Sequence, residues 1–267
     1  MTIKIIVCGA GGRMGGRIIA CARSEPDLEI AGAVERPGHP GLGRDAGELS
    51  GTGNLDCPLA DSLSGVIGRG DVVIDFSAPE AAVETAAAVA AAGKSLVVGT
   101  TGLGPEGEKR LRSAAEGIAC VFSPNMSVGV NLLFRLVGET AEALGDAYDV
   151  EIVEAHHRLK KDAPSGTAKK IAEIAASALR RDLDQAAVYG REGLVGERTR
   201  EEIGIHAVRA GDIVGEHTVI FSAPGERLEL VHRAHSRDTF ARGALQAARF
   251  AAAAGPGFYS MRDVLGI

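Results

Sequence analysis

Over the first half of the chain, short β-branched and apolar runs alternate with longer stretches in which Ala, Ile and Val recur at helical spacing. Ile3–Val7 reads as a strand ending in glycines. Arg13–Ser24 follows as a helix with Met14, Ile18, Ile19 and Ala22 on one side, closed before Pro26. Leu28–Val34, Val72–Phe76, Leu96–Val98 and Ile118–Phe122 read as further strands, with Pro79–Ala92 and Pro105–Ala115 as helices. This βα alternation is the pattern of a parallel α/β sheet, and right-handed crossovers make it doubly wound, as in Rossmann-type folds. The glycine-rich stretch Pro37–Gly53 reads as a mobile connection.

After Val128 the pattern changes. Asn131–Leu144 and Thr167–Arg181 have helical spacing, and Val150–Ala155 is a strand. Ile203–Val208, Thr218–Phe221 and Arg227–His232 are strands separated by turns, and Phe240–Ala254 is a last Ala-rich helix. Strands that follow a βα series in this way predict a second, α+β domain. The expected division is 1–126, 127–236 and a C-terminal segment 237–267.

Composition narrows the classes. The 267 residues are 45% hydrophobic and 24% charged, a globular profile. Trp is absent and aromatics make up 4%, so Ala, Val, Ile and Leu must build the core, which suits helices on a parallel sheet. A net charge of −6 argues against a nucleic-acid partner. No apolar run approaches the roughly 20 residues that span a bilayer, and the opening residues lack the layout of a signal peptide. Cys8, Cys21, Cys57 and Cys120 have neither CxxC nor metal-type spacing and read as reduced thiols. A cytoplasmic protein with no membrane partner and no metal is expected.

The first candidate site is the turn Gly9-Ala10-Gly11-Gly12-Arg13-Met14-Gly15, between the first strand and the first helix. Glycines there let the backbone turn tightly and approach a pyrophosphate seated on the N–H groups of the helix start. The spacing is GxxGxxG through Gly9, Gly12 and Gly15. Glu35 ends the second strand about 20 residues on, where an acid bonds the ribose hydroxyls of NAD. Arg36 or Arg13 could meet the 2′-phosphate of NADP, so NADH and NADPH both stay open. Two further strand ends, Asp75–Ser77 and Gly99-Thr100-Thr101, lie on the edge where open α/β sheets bind ligands, and the latter offers amides and hydroxyls to a nicotinamide or ribose. A third, Ser123-Pro124-Asn125-Met126, leads into the second domain.

The second candidate site is Glu154-Ala-His-His-Arg-Leu-Lys-Lys-Asp-Ala-Pro-Ser-Gly-Thr167. In an acidic chain it concentrates two His, one Arg and two Lys within six residues. Adjacent His156 and His157 on a strand would point to opposite faces, so one suits acid–base work while the other binds or supports. Lys160 can share the site if the loop folds back. Ser165, Gly166 and Thr167 open a helix whose N–H groups and positive end suit a carboxylate. A solvated basic loop would also read this way, but the helix start directly after it favours an anion pocket. Other chemistries have no foothold: there is no HExxH, no GxSxG elbow and no GK[ST] ending to the glycine loop.

Taken together, GAGGRMG at 9–15, Glu35-Arg36, DFS at 75–77, GTTG at 99–102, SPNMSVGVN at 123–131 and EAHHRLKKDAPSGTA at 154–168 resemble the 4-hydroxy-tetrahydrodipicolinate (dihydrodipicolinate) reductases. GDIVGEHTV at 211–219 and the region 232–244 fit as well. The resemblance implies an NADH- or NADPH-dependent reduction of a small cyclic dicarboxylate in diaminopimelate and lysine biosynthesis. It implies His156 as the acid–base residue, Lys160 as a proton donor, and His157 with the Gly166 and Thr167 amides on the substrate carboxylates. Gly9 to Met14, Glu35, Arg36, Gly99 to Thr101 and Ser123 to Met126 would line the cofactor. It further implies a homotetramer built through an open mixed sheet in the second domain, and a C-terminal helix that returns to the first. Leu159 and His235 depart from the usual pattern without touching these roles. The rivals are a two-domain dehydrogenase acting on another amino-acid precursor and a redox-sensing protein that has lost turnover; intact His156 and Lys160 argue against the sensor.

Overall fold

A computed structural model describes residues 2–267. In chain order the elements are β1 Ile3–Cys8, α1 Arg13–Ala22, β2 Leu28–Val34, α2 Ala46–Ser50, β3 Leu59–Ala60, β4 Val72–Asp75, α3 Pro79–Ala91, β5 Ser95–Val98, α4 Gly104–Ala114 and β6 Ala119–Phe122. There follow α5 Val128–Leu144, β7 Asp149–His156, α6 Gly166–Ala178, α7 Leu183–Ala186, β8 Ala187–Tyr189, β9 Ile203–Arg209, β10 Gly215–Ala223 and β11 Glu226–Ala234. The last are α8 Asp238–Ala253, β12 Gly257–Tyr259 and α9 Met261–Leu265. They form two compact units, one running to Val128 and resuming over Arg237–Ile267, the other spanning Gly129–Ser236.

The first unit is a parallel sheet in the order β12-β6-β5-β4-β1-β2-β3. Its strands are apolar on both faces because helices cover both: Ile5 and Val7 pack to one side, Ile6 and Cys8 to the other. The order reverses between β1 and β4, which places the glycine turn and Asp75–Ser77 at the switch point where such sheets bind ligands. On one face α8 lays Ala244, Leu245, Ala248 and Ala251 into the core. Small side chains there let the helix approach the strands closely.

Residues 37–53 are not the featureless connection that their glycines suggest. Asp45 caps α2, its carboxylate accepting from the N–H groups of Gly47, Glu48, Leu55 and Cys57. One side chain thus satisfies four backbone donors that no ladder could reach.

The second unit is a mixed sheet in the order β11-β10-β7-β9-β8, antiparallel at β11/β10 and β10/β7, parallel at β7/β9 and β9/β8. Strand alternation turns Val150, Ile152, Val219 and Phe221 toward α5 and α6, where Leu133, Val137, Ile171 and Ala175 complete the core. Strand β7 ends at His156. His157 is therefore the first residue of the loop, not a strand neighbour on the opposite face, because the ladder with β9 stops at His156 and Arg209.

Candidate active site

In the first unit the glycine turn is tightly built. The N–H groups of Gly9 and Ala10 both donate to the carbonyl of Val34, and that of Gly12 to Gly9. Gly9 has a positive φ of 75°, and a Cβ there would stand 2.6 Å from the Phe76 carbonyl oxygen. A Cβ on Gly15 would collide with the Gly9 carbonyl, so α1 can press against the turn only without one. No side chain caps α1. Its opening N–H groups at Arg13 and Met14 thus form an anion cradle at the positive end of the helix.

Beside the cradle lies a cleft of about 650 Å³, lined among others by Gly9, Gly12, Glu35, Arg36, Ser77 and Thr85. Glu35 spans its rim, one carboxylate oxygen accepting from Gly11 N–H at 3.1 Å and the other from Arg36 N–H at 3.0 Å. Arg13 and Arg36 are exposed. The missing side chains, the uncapped helix and the acid at the end of β2 fit a dinucleotide.

At the neighbouring strand ends, Asp75 is fully buried. Its Oδ1 accepts from the N–H and hydroxyl of Ser77 and from the hydroxyl of Thr100, whereas Oδ2 has no partner among the described residues. The Thr100 hydroxyl is thus committed inward, and Thr101 is the exposed one. Gly99 lies flat against the Phe76 ring, where a Cβ would overlap it. Ser123 donates to the carbonyl of Asn125, whose side-chain oxygen accepts from Ser127 N–H, and Met126 is buried.

In the second unit the end of β7 and the loop after it gather the other candidates. His156 Nδ1 lies 2.6 Å from Glu154 Oε2, two residues back on the same strand face. Glu154 is 0% exposed and also accepts from Arg209, through both terminal nitrogens at 2.8 Å, and from Ser165 N–H at 2.9 Å. Burial pushes the Glu154 carboxyl up, but the bonds from Arg209, His156 and Ser165 outweigh it and hold it below its ordinary value. Burial lowers His156, Glu154 opposes that, and the charges of Lys160 and Arg209 add to the lowering. Gly215 on β10 leaves room for the ring, since a Cβ there would stand 3.1 Å from Nε2.

The loop folds back at once, Lys160 N–H donating to the His157 carbonyl, and Lys160 Nζ pairs with Asp162 at 2.9 Å. His157 Nδ1 is buried without a partner among the described residues. Ser165 is buried and caps α6 by accepting from Ala168 N–H. The N–H groups of Gly166 and Thr167 stand ahead of it in the first turn.

Three residues of this cluster had no role in the sequence reading: Glu154, Arg209 and His217. His217 is 3% exposed, 3.1 Å from the Ser165 hydroxyl and edge-on to the His156 ring at 5.3 Å. The signal for Glu154 was a charge at an inward position of an apolar strand, in phase with His156. For His217 it was the inward series Gly215, His217, Val219 and Phe221. Arg209 had none, because its partner lies 55 residues away.

Comparison with known proteins matches two family profiles, described as dihydrodipicolinate reductase N-terminus over residues 3–126 and C-terminus over residues 129–265. The 4-hydroxy-tetrahydrodipicolinate reductase of Citrifermentans bemidjiense is 52% identical over 265 residues, 99% of each chain. That of Syntrophus aciditrophicus is 53% identical over 264, covering 99% of this chain and 98% of the relative. Among solved structures, a dipicolinate-bound dihydrodipicolinate reductase from Paenisporosarcina sp. TG-14 has the same fold, with a TM-score of 0.76, 22% identity and coverage of 97% and 98%. An amine dehydrogenase from Mycobacterium smegmatis, at 0.60 and 15% with coverage of 98% and 95%, shares the architecture alone. With both profiles matched and half the residues shared along its whole length, this chain belongs to the dihydrodipicolinate reductase family.

Proposed function

We propose that the chain reduces the cyclic dicarboxylate formed from 4-hydroxy-tetrahydrodipicolinate to tetrahydrodipicolinate, with a pyridine nucleotide held by the first unit and the dicarboxylate by the second. The observation that supports this is the arrangement at the end of β7, an imidazole braced by a buried carboxylate that also bonds the residue from which α6 starts. When bound, the dinucleotide supplies a hydride from nicotinamide C4. The chain's own residues do the rest. Gly9 to Met14 seat the pyrophosphate, Glu35 takes the ribose diol and Arg36 a 2′-phosphate, so NADH and NADPH are both accepted. Gly99 to Thr101 and Ser123 to Met126, which follow β5 and β6, would take the nicotinamide end of the dinucleotide. Gly166 and Thr167 N–H and His157 hold the carboxylates, Ser165 shaping the turn from behind. His156 and Lys160 hold the protons.

Among the described residues, no helix is long and apolar enough to cross a membrane. We place the enzyme in the cytoplasm as a homotetramer. The exposed Val208 and Val231, on the face of the second sheet away from α6, support assembly through that sheet.

Steady oxidation of NADH and of NADPH with the cyclic substrate tests the activity and the cofactor range together. His156→Gln and Lys160→Met should each lower kcat by roughly 10²–10⁴-fold, since a proton donor acts only as charge develops. Substitution of His157 or Thr167 should raise KM more than it lowers kcat, because carboxylate contacts already exist in the bound ground state. Near-normal kcat in His156→Gln or Lys160→Met would remove that residue from proton transfer.

A further inference from the structure

Glu154 touches each part of the second-unit site. One oxygen, Oε2, meets His156 Nδ1 and an Arg209 nitrogen; the other, Oε1, meets the second Arg209 nitrogen and the N–H of Ser165. Every acceptor position of a fully buried carboxylate is therefore used. Ser165 is the residue from which α6 starts. Arg209 reaches further still, donating at 2.7 Å to the carbonyl of Asp162, whose carboxylate holds Lys160. The imidazole, the helix start and the lysine loop thus share one ion pair, its carboxylate buried and its guanidinium partly exposed, carried by the paired strands β7 and β9.

We infer that Glu154 and Arg209 are positioning residues for proton transfer at His156, fixing its tautomer and its register with the start of α6. A carboxylate held ionised by Arg209 only accepts, so Nδ1 of His156 must carry a hydrogen and Nε2 becomes the atom that exchanges a proton with substrate. The inference rests on the acid–base reading of His156 above.

The groups facing the His156 ring are Glu154 on its own strand, Arg209 on β9, His217 on β10 and Lys160 in the loop, with Asp162 behind the lysine. Among the described residues, Glu154 is the negative charge in contact with the ring and favours its protonated form; Arg209 and Lys160 oppose it.

The test is Glu154→Gln in the full chain, with folding checked by circular dichroism and by dinucleotide binding to the first unit. The Ser165 N–H and one Arg209 nitrogen both require an acceptor at the Oε1 position, so the amide oxygen sits there and the NH₂ takes the Oε2 position, facing Nδ1 and forcing the neutral imidazole into the Nε2–H form. Nitrogen-15 NMR of labelled histidines should show Nδ1–H in the parent and Nε2–H in the variant. The kcat should fall roughly 10²-fold or more, as wrong-tautomer variants of histidine catalysts do. The limb of the pH profile on which activity is lost as His156 deprotonates should move to lower pH. Arg209→Met should act the same way, because a Glu154 stripped of its guanidinium takes up a proton and donates to Nδ1. Arg209→Lys should restore part of the rate, and this pair carries the test if Glu154→Gln does not fold. An Nε2–H parent, or folded variants with unchanged tautomer and pH profile, would overturn the inference. If His156→Gln alone retains normal kcat, the acid–base reading fails, while the tautomer measurement still decides the positioning role.

Discussion

At the scale of single residues, His217 ties stability to pH. Burial, reinforced by the charge that His156 would carry, pushes it from an ordinary value of 6.5 to about 3. The unfolded chain therefore takes up a proton that the native chain refuses. The sign follows: stability is independent of this group above about pH 6.5 and is lost steadily as pH falls from there toward 3. Burial lowers His156 too, so it acts in the same direction. Urea unfolding at pH 7, 6 and 5 should show a steep decline in the parent and a shallower one in His217→Gln. Parallel lines for the two proteins would show that His217 is not the group being titrated.

At the scale of elements, the strand-to-helix turn gives a sharp contrast between neighbouring glycines. Gly15→Ala drives a methyl group into the backbone of Gly9 and Ala10, forcing turn and helix apart. The expected cost is about 1–3 kcal/mol of stability, with a marked loss of dinucleotide affinity. Gly16→Ala meets only a side-chain atom of Ser50 at 4.0 Å, so it should stabilise α1 by about 0.5–1 kcal/mol and leave binding intact. Thermal unfolding and cofactor titration of the pair check this, and equal behaviour would mean that α1 does not press against the Gly9 carbonyl. The same elements mark what a sequence can reveal. β1, α1, β4 and β5 were readable because each carries its own periodicity and its own stop signal. β3, β8 and β12 are two or three residues long, too short for any period, and exist only because a neighbouring strand edge pairs with them. Helix α2 carries no such signal, because the Asp45 cap and not an apolar spacing holds it. Likewise His156, Lys160 and the glycine turn were legible as local strings. The Glu154–Arg209 pair was not, since it exists only once β7 lies beside β9.

At the scale of the whole molecule, the first unit is made from two separated pieces of chain. Helix α8 is fastened there by charge as well as by its alanines: Arg17 on α1 pairs with Asp238, and Arg249 with Asp27 and Glu25. During synthesis, however, the ribosome delivers β1 to β6 long before α8, β12 and α9. The nascent sheet must wait with one face covered by α1 over β1 and β2 but bare over β4, β5 and β6, while residues 129–236 are continuous in sequence and can close first. The usual vectorial order is thereby inverted, and the early half of the chain becomes a client for chaperones until residues 238–265 emerge. Limited proteolysis of ribosome-stalled chains should find the middle segment protected before the first. Protection of residues 2–128 in a chain stalled short of Asp238 would show that the sheet closes without its final helix.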